Sequence, residues 1–249
     1  MKKEKFAKEL DYIVDADIKK FAETAVINLP DYFFTVAASS TGKYHPQYAL
    51  GDGGLVRHTK AVMRFANYLL SLEHNQNAFS ADERDCIIVA CLLHDGWKHG
   101  DKGGSYTTHE HPLVASEWVR TSELLNGIIP QEQRNLIADG ISSHMGQWNT
   151  AKRGSKVILP KPETEIQKFI HMCDYLASRK DIEVLFEDSD KAAVPDITTF
   201  IMPFGKHKGK TLLEINQEAP DYIAWMRTQN MQFPVPELLK SIEKELVAG

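Results

Sequence analysis

Apolar residues recur at helical spacing through the first three quarters of the chain. Phe6, Leu10, Ile13 and Phe21 fall near one face, so the N-terminal stretch predicts an amphipathic helix packed on a core. The glycine-rich turn Gly51-Asp52-Gly53-Gly54 leads into a predicted helix from Val56 to Leu72 that carries His58 in its first turn. Ser80-Ala-Asp-Glu83 has the form of a capping box and opens a helix running through Cys86-Ile-Ile-Val-Ala-Cys-Leu-Leu93 to His94. Thr107-Thr-His-Glu110 is placed to cap the next helix, which has Pro112 in its first turn and Leu113, Val114 and Trp118 on an apolar face. Two further helices follow, one from near Pro130 to near His144 and one from near Pro162 through Ile166, Ile170, Cys173 and Asp174.

Past Arg179 the texture changes. Residues 181–196 are acidic and weakly periodic, ending in Val194-Pro195-Asp196, and read as a linker or an irregular crossing segment. Ile197 to Phe204 is β-rich, Gly205-Lys-His-Lys-Gly209 is a turn, and short helices are expected from near Pro220 and Pro236. The organisation predicted is a helical domain over residues 1–180, a linker over 181–196 and a small α+β module over 197–249, mainly α in class.

Composition narrows the possible functions. Of 249 residues, 43% are hydrophobic and 25% charged, a balance that supports a real core. The net charge of −5 argues against a generally basic nucleic-acid coat while allowing local basic patches. Three cysteines, Cys86, Cys91 and Cys173, with no C-x-x-C pair, predict no disulfide framework and a cytoplasmic setting. The charged N-terminal stretch lacks the apolar core of a signal peptide, and no apolar run approaches the roughly 18 residues of a membrane span, so no membrane partner is expected.

Candidate chemistry lies in an ordered series of histidines and aspartates: His58, His94-Asp95, His111, His144 and Asp174. Imidazole and carboxylate together suit divalent Mn, Fe, Co, Ni, Zn and, more weakly, Mg. The apolar helix Ala90-Cys-Leu-Leu93 runs directly into His94-Asp95, and two polar groups at a buried helix end need a metal or strong hydrogen bonds to offset desolvation. His45, His74, His99, His109, His171 and His207 are assigned no ligand role.

Three segments carry a family resemblance. Gly53-Gly-Leu-Val-Arg-His58-Thr, Leu92-Leu-His94-Asp95-Gly-Trp-Lys98 and Phe169-Ile-His-Met-Cys-Asp174-Tyr-Leu-Ala resemble the H…HD…D signature of HD-domain phosphohydrolases, across about residues 50–180. The resemblance implies an all-helical core in which His58, His94, Asp95 and Asp174 hold a metal. Glu110-His111-Pro-Leu-Val-Ala-Ser and Ile141-Ser-Ser-His144-Met-Gly-Gln-Trp are similar to the extra histidine segments of the binuclear subgroup, implying a second ion. That subgroup includes cyclic-dinucleotide phosphodiesterases and certain 3′-to-5′ exoribonucleases. The family often reads His-Asp-Ile-Gly-Lys where this chain has His94-Asp-Gly-Trp-Lys98, so the lysine keeps its offset across a different turn. The glycine-tyrosine-proline motif of the cyclic-dinucleotide enzymes is absent, which counts against that substrate.

The resemblance implies one or two divalent ions, with Asp95 bridging and Lys98 neutralising phosphate charge as the catalytic pair. The loop Lys152-Arg153-Gly-Ser-Lys156 offers a further phosphate clamp. Met202-Pro-Phe-Gly-Lys-His-Lys-Gly-Lys210-Thr-Leu with Asp221-Tyr-Ile-Ala-Trp225 resembles a module at the C-terminus of some DEDD-class exonucleases. Lys206, Lys208 and Lys210 supply cations on its turn, and Phe204 and Trp225 supply rings for stacking on bases. The expected activity is therefore hydrolysis of phosphoesters at nucleic-acid ends or in nucleotides, with a nucleotide or single-stranded nucleic acid as partner. Three alternatives remain open at this stage: a nucleotidase or deoxynucleotide triphosphohydrolase, an HD-type diiron oxygenase, and a non-catalytic nucleic-acid-binding protein with a structural metal.

Overall fold

The computed structural model describes residues 2–39, 45–101, 103–104, 106–151, 154–187, 194–202, 205–229, 231 and 234–248, with side chains of the last helix described to residue 242. The chain divides into two units, Met1–Asp190 and Lys191–Gly249.

The first unit is helical. It contains α1 (Ala7–Leu10), α2 (Ala16–Asn28), α3 (Gly54–Leu70), α4 (Glu73–Ala78), α5 (Ala81–Leu93), α6 (His111–Thr121), α7 (Gln131–Ser143) and α8 (Glu165–Ala177). At its centre lies α5, buried at every position from Asp85 to Leu93, which is why its sequence is apolar all round rather than striped. It packs against α2, α3, α7 and α8, while α6 packs on α7. The capping box at Ser80 forms as the sequence predicts, with Glu83 N donating to Ser80 Oγ at 3.2 Å and Ser80 N to Glu83 Oε2 at 2.8 Å. A second box, Thr164 with Gln167, fixes the start of α8 at Glu165.

Two details of the sequence reading change. The N-terminal helix is broken between Leu10 and Ala16, because the Asp85 carboxylate of α5 accepts from Val14 N and Asp15 N at 3.0 and 2.7 Å. Asp15 then caps α2 by accepting from Asp17 N and Ile18 N. At the start of α6 no side chain caps the helix; Glu110 occupies the cap position, and the carbonyl of Thr108 accepts instead from the His111 ring.

The turn before α3 shows why it is glycine-rich. Gly53 has φ +65°, and a Cβ on Gly54 would lie 2.3 Å from the Ala49 carbonyl oxygen. Arg57 secures the same turn, donating to the carbonyls of Tyr48, Leu50 and Asp52. This contact holds the first turns of α3 deep in the domain, so that Arg57, His58, Thr59 and Lys60 are all buried.

Residues 181–187 form no regular element but pack on the first unit, where Phe186 meets Tyr48 at 5.2 Å and lies under the Arg64 guanidinium. The second unit has its own core of Ile197, Met202, Leu212, Ile215, Ile223, Met226, Val235, Leu238, Leu239 and Ile242. Its helices are α9 (Leu212–Glu218), α10 (Pro220–Thr228) and α11 (Val235–Ala248). The sequence reading missed α9, although Thr211 and Glu214 form a capping box before it. The expected β-rich run contracts, among the described residues, to one antiparallel bridge between Ile201 and Thr211. The Asp196 carboxylate accepts from Thr198 N at 2.7 Å and turns the chain where a strand would begin. No helix among the described residues is long and apolar enough to cross a membrane.

Candidate metal centre

Five helices bring six side chains to one place. His58 comes from the second turn of α3, His94 and Asp95 from the end of α5, His111 from the start of α6, His144 from the end of α7 and Asp174 from α8. Among the described residues, three groups of potential ligand atoms lie within 4.8 Å of one another: His58, His94 and Asp95; His94, His144 and Asp174; and Asp95, His111 and His144. The sequence-predicted set is thus one cluster.

Asp95 stands in the middle with its oxygens facing different partners. Oδ2 lies 3.3 Å from His94 Nε2 and 3.6 Å from His58 Nε2, whereas Oδ1 lies 2.9 Å from His111 Nε2 and 3.8 Å from His144 Nε2. Asp174 Oδ1 closes the first side, 3.0 Å from His58 Nε2 and 3.6 Å from His94 Nε2. The histidines and Asp95 are at most 2% exposed; the Asp174 side chain, at 20%, marks the accessible side.

Three of the histidines are oriented alike. Nδ1 of His94, His111 and His144 meets the carbonyl three residues earlier, Cys91, Thr108 and Ile141 respectively, at 2.8, 2.6 and 2.8 Å. A carbonyl only accepts, so each Nδ1 carries a proton and each ring turns its Nε2 inward, where a lone pair is free whenever the ring is neutral. For His111 this has a cost. Its Nε2 and Asp95 Oδ1 face each other at 2.9 Å, both buried, and neither is satisfied by a hydrogen bond. Two acceptors held at that distance need a proton or a metal ion between or beside them. The residues therefore fit a divalent ion in donor type, in burial and in this unsatisfied pair.

The electrostatics agree. Burial alone favours a protonated Asp95, yet Lys98 and His94 outweigh it and hold the carboxylate well below the usual range. Burial likewise opposes charge on Asp174, and His58 and His94 keep it ionised. Burial would strip the proton from His94, but Asp95 retains it and lifts the pKa to about 9. His144, buried and beside that charge, is pushed down to about 3. Burial also lowers His58, against the pull of Asp174.

Lys98 is buried with its ammonium ion-paired to Asp95 Oδ2, so it belongs to the cluster rather than to the surface. Lys156 is exposed on the hairpin bridged between Thr150 and Ile158; Lys152 and Arg153 lie outside the described residues. In the second unit Lys206 and Lys208 are exposed and Lys210 pairs with Glu218. Trp225 is 49% exposed and so stands outside that unit's aliphatic core, while Phe204 lies outside the described residues.

His45, assigned no ligand role from the sequence, packs beside the cluster outside the three ligand groups. Its ring lies edge-on to His58 at 4.7 Å between centroids, and its Nδ1 is buried with no hydrogen-bond partner. Burial and the neighbouring His58 push its pKa well down, which keeps the ring neutral. The one signal was the placement of His45-Pro46 just before the glycine-rich turn, and no periodicity marks it.

Comparison with known families gives two matches. The HD domain family matches residues 55–179, a span containing all six clustered side chains, and the exodeoxyribonuclease X-like C-terminal family matches residues 202–230. No curated protein and no solved structure matches the chain.

Proposed function

This chain belongs to the HD domain family, and from that premise we propose that it is a metal-dependent phosphohydrolase acting on nucleotides or nucleic-acid ends. The observation that carries the reading is Asp95, a buried carboxylate with one oxygen facing His58 and His94 and the other facing His111 and His144. His58, His94, Asp95 and Asp174 would hold one ion, and Asp95, His111 and His144 a second. Bound there, divalent ions lower the pKa of water and polarise a phosphoryl oxygen.

The chain's own groups do the rest. The three backbone-tethered imidazoles hold Nε2 aimed inward, so the donor geometry exists before loading, and at His94 a proton leaves when an ion enters. Lys98 brings a fixed positive charge into a buried site, where charge on a phosphoryl oxygen is stabilised far more than in water. Asp174, on the accessible side, is where a substrate phosphate can approach. In the second unit, exposed Lys206 and Lys208 flank His207, whose ring meets Tyr222 and through it exposed Trp225, and these cations and rings suit single-stranded nucleic acid, which favours a polymer substrate.

The test is product release from an end-labelled oligonucleotide and from free nucleotides, each with Mn²⁺ or Mg²⁺. Metal-dependent release of mononucleotides is expected. Turnover of free nucleotides alone would move the reading to a nucleotidase. No hydrolysis combined with dioxygen consumption by the iron-loaded protein would replace it with an oxygenase.

A further inference from the structure

Beside the His/Asp cluster lies an aromatic stack that the hydrolytic chemistry leaves unused. After His144 the chain reverses at Gly146, whose φ is +57° and where a Cβ would sit 2.2–2.6 Å from the His171 ring. The turn therefore lies directly on that imidazole, and His171 Nδ1 in turn donates to the His144 carbonyl at 2.7 Å. Two residues on, Trp148 stacks on Tyr175 with centroids 5.7 Å apart and planes 13° from parallel. The Arg179 guanidinium lies over the Tyr175 ring, 4.2 Å from its centroid. Tyr175 follows Asp174 directly on α8. Trp148 nonetheless remains 44% exposed, although a tryptophan kept only for packing gains by being covered.

We propose that Trp148 and Tyr175 form a stacking platform for an unpaired nucleobase of the substrate, placed so that the attached phosphate reaches the cluster at Asp174. Three observations point to a base rather than to an apolar partner. The rings are stacked in nearly parallel planes, and Trp148, the exposed member, is open to a further ring. A guanidinium is built into the stack, which suits an anionic, π-faced ligand. The platform is also tied to the cluster twice, through the His171–His144 bond and through consecutive residues of α8. Stacking of this kind tolerates any base, so the platform confers preference for base-bearing phosphoesters without sequence preference. The phosphate part of the inference rests on the phosphohydrolase reading; the base-binding part does not.

The test uses the metal-loaded full chain and a phosphorothioate oligonucleotide that resists hydrolysis, with an abasic oligomer of equal length as control. Wild-type protein should bind the base-bearing strand more tightly. Trp148→Ala should lower that affinity by about tenfold, the order expected for one stacked base, Trp148→Phe should restore most of it, and metal content should stay unchanged. Equal affinity of wild type for the two strands, or parallel loss on both in Trp148→Ala, overturns the platform. A terminal 2-aminopurine gives a reading that does not depend on how Trp148→Ala folds: its fluorescence should be quenched by wild type and, once protein is raised to saturation so that any loss of affinity is overcome, to the same extent by Trp225→Ala. Quenching lost in saturated Trp225→Ala assigns the base to the second unit and ends the proposal. Wild type that discriminates bases but hydrolyses no phosphoester leaves the platform standing and removes the hydrolase reading.

Discussion

Removing the Asp95 carboxylate should damage the protein twice, and the two losses can be measured separately. Asp95 is 1% exposed, ion-paired with the buried Lys98 ammonium and surrounded by four imidazoles between 2.9 and 3.8 Å away. Asp95→Ala leaves that ammonium without its anion and the His94 charge with Asp174 alone. Breaking a buried pair from one side costs about 3–5 kcal/mol. For a domain of this size each kcal/mol moves Tm by roughly 2–4 °C, so the metal-free variant should melt roughly 6–20 °C below the metal-free wild type. Proton release from His94 relieves part of this cost, which favours the lower end at alkaline pH. The second loss is the metal. At a free ion concentration a thousandfold above Kd, binding contributes about 4 kcal/mol to wild type, which chelation removes. Asp95→Ala should show no chelation-dependent shift. Melting curves with and without chelator, paired with elemental analysis, read both effects. Wild type that contains no metal after loading and melts identically with and without chelator would refute the reasoning, because the unsatisfied Asp95–His111 pair would then need no cation.

Three further outcomes follow from the same geometry. The His94 pKa of about 9 lies above the ordinary value of 6.5, so its charge stabilises the metal-free protein fully below pH 6.5 and that contribution is lost as pH rises towards 9. A metal must displace that proton, so affinity measured by titration should rise by up to tenfold per pH unit between pH 7 and 9 and then level off; a flat profile contradicts the assignment. Lys98→Ala frees Asp95 for metal while removing charge from the site, so elemental analysis should find metal retained while turnover falls by about 100-fold or more; metal loss would show the turn to be structural. Alanine at both Lys206 and Lys208 should weaken single-strand binding and reduce the salt slope by about 1.4, at about 0.7 per phosphate contact; an unchanged slope would remove those lysines from the interface.

Much of the site was readable from the sequence because its signals are local. The run from an all-apolar helix into His94-Asp95 announces a buried polar end, and Ser80 with Glu83 announces where that helix starts. The glycine pair before α3 announces a close approach, and the structure supplies its partner in the Ala49 carbonyl. What escaped depends on groups distant in sequence. No N-terminal pattern shows that Asp85, about 70 positions away, will take the amides of Val14 and Asp15 and break the helix there. His45 gains meaning only through His58, which packs against it across the turn. Lys98 was legible as a conspicuous cation at a fixed offset from Asp95, but its burial against that carboxylate is a tertiary fact. In the second unit, the Asp196 turn overrode the β-branched run that suggested a strand.

The bonds from His94, His111 and His144 to their own backbone carbonyls also bear on how the site withstands mutation. A ligand histidine is commonly steered by a carboxylate from elsewhere in the fold, and changing that carboxylate misaligns the ring. Here the steering group is a peptide carbonyl of the same turn, which every amino acid supplies. Substitution at Cys91, Thr108 or Ile141 leaves that carbonyl in place as long as the turn keeps its shape. Three donors are thus protected from point mutation in their supporting shell. His58, whose Nδ1 is buried and unbonded, has no such insurance. Drift in the surroundings of this centre should accordingly be felt first at His58, through the packing around it, while the other three rings hold their aim.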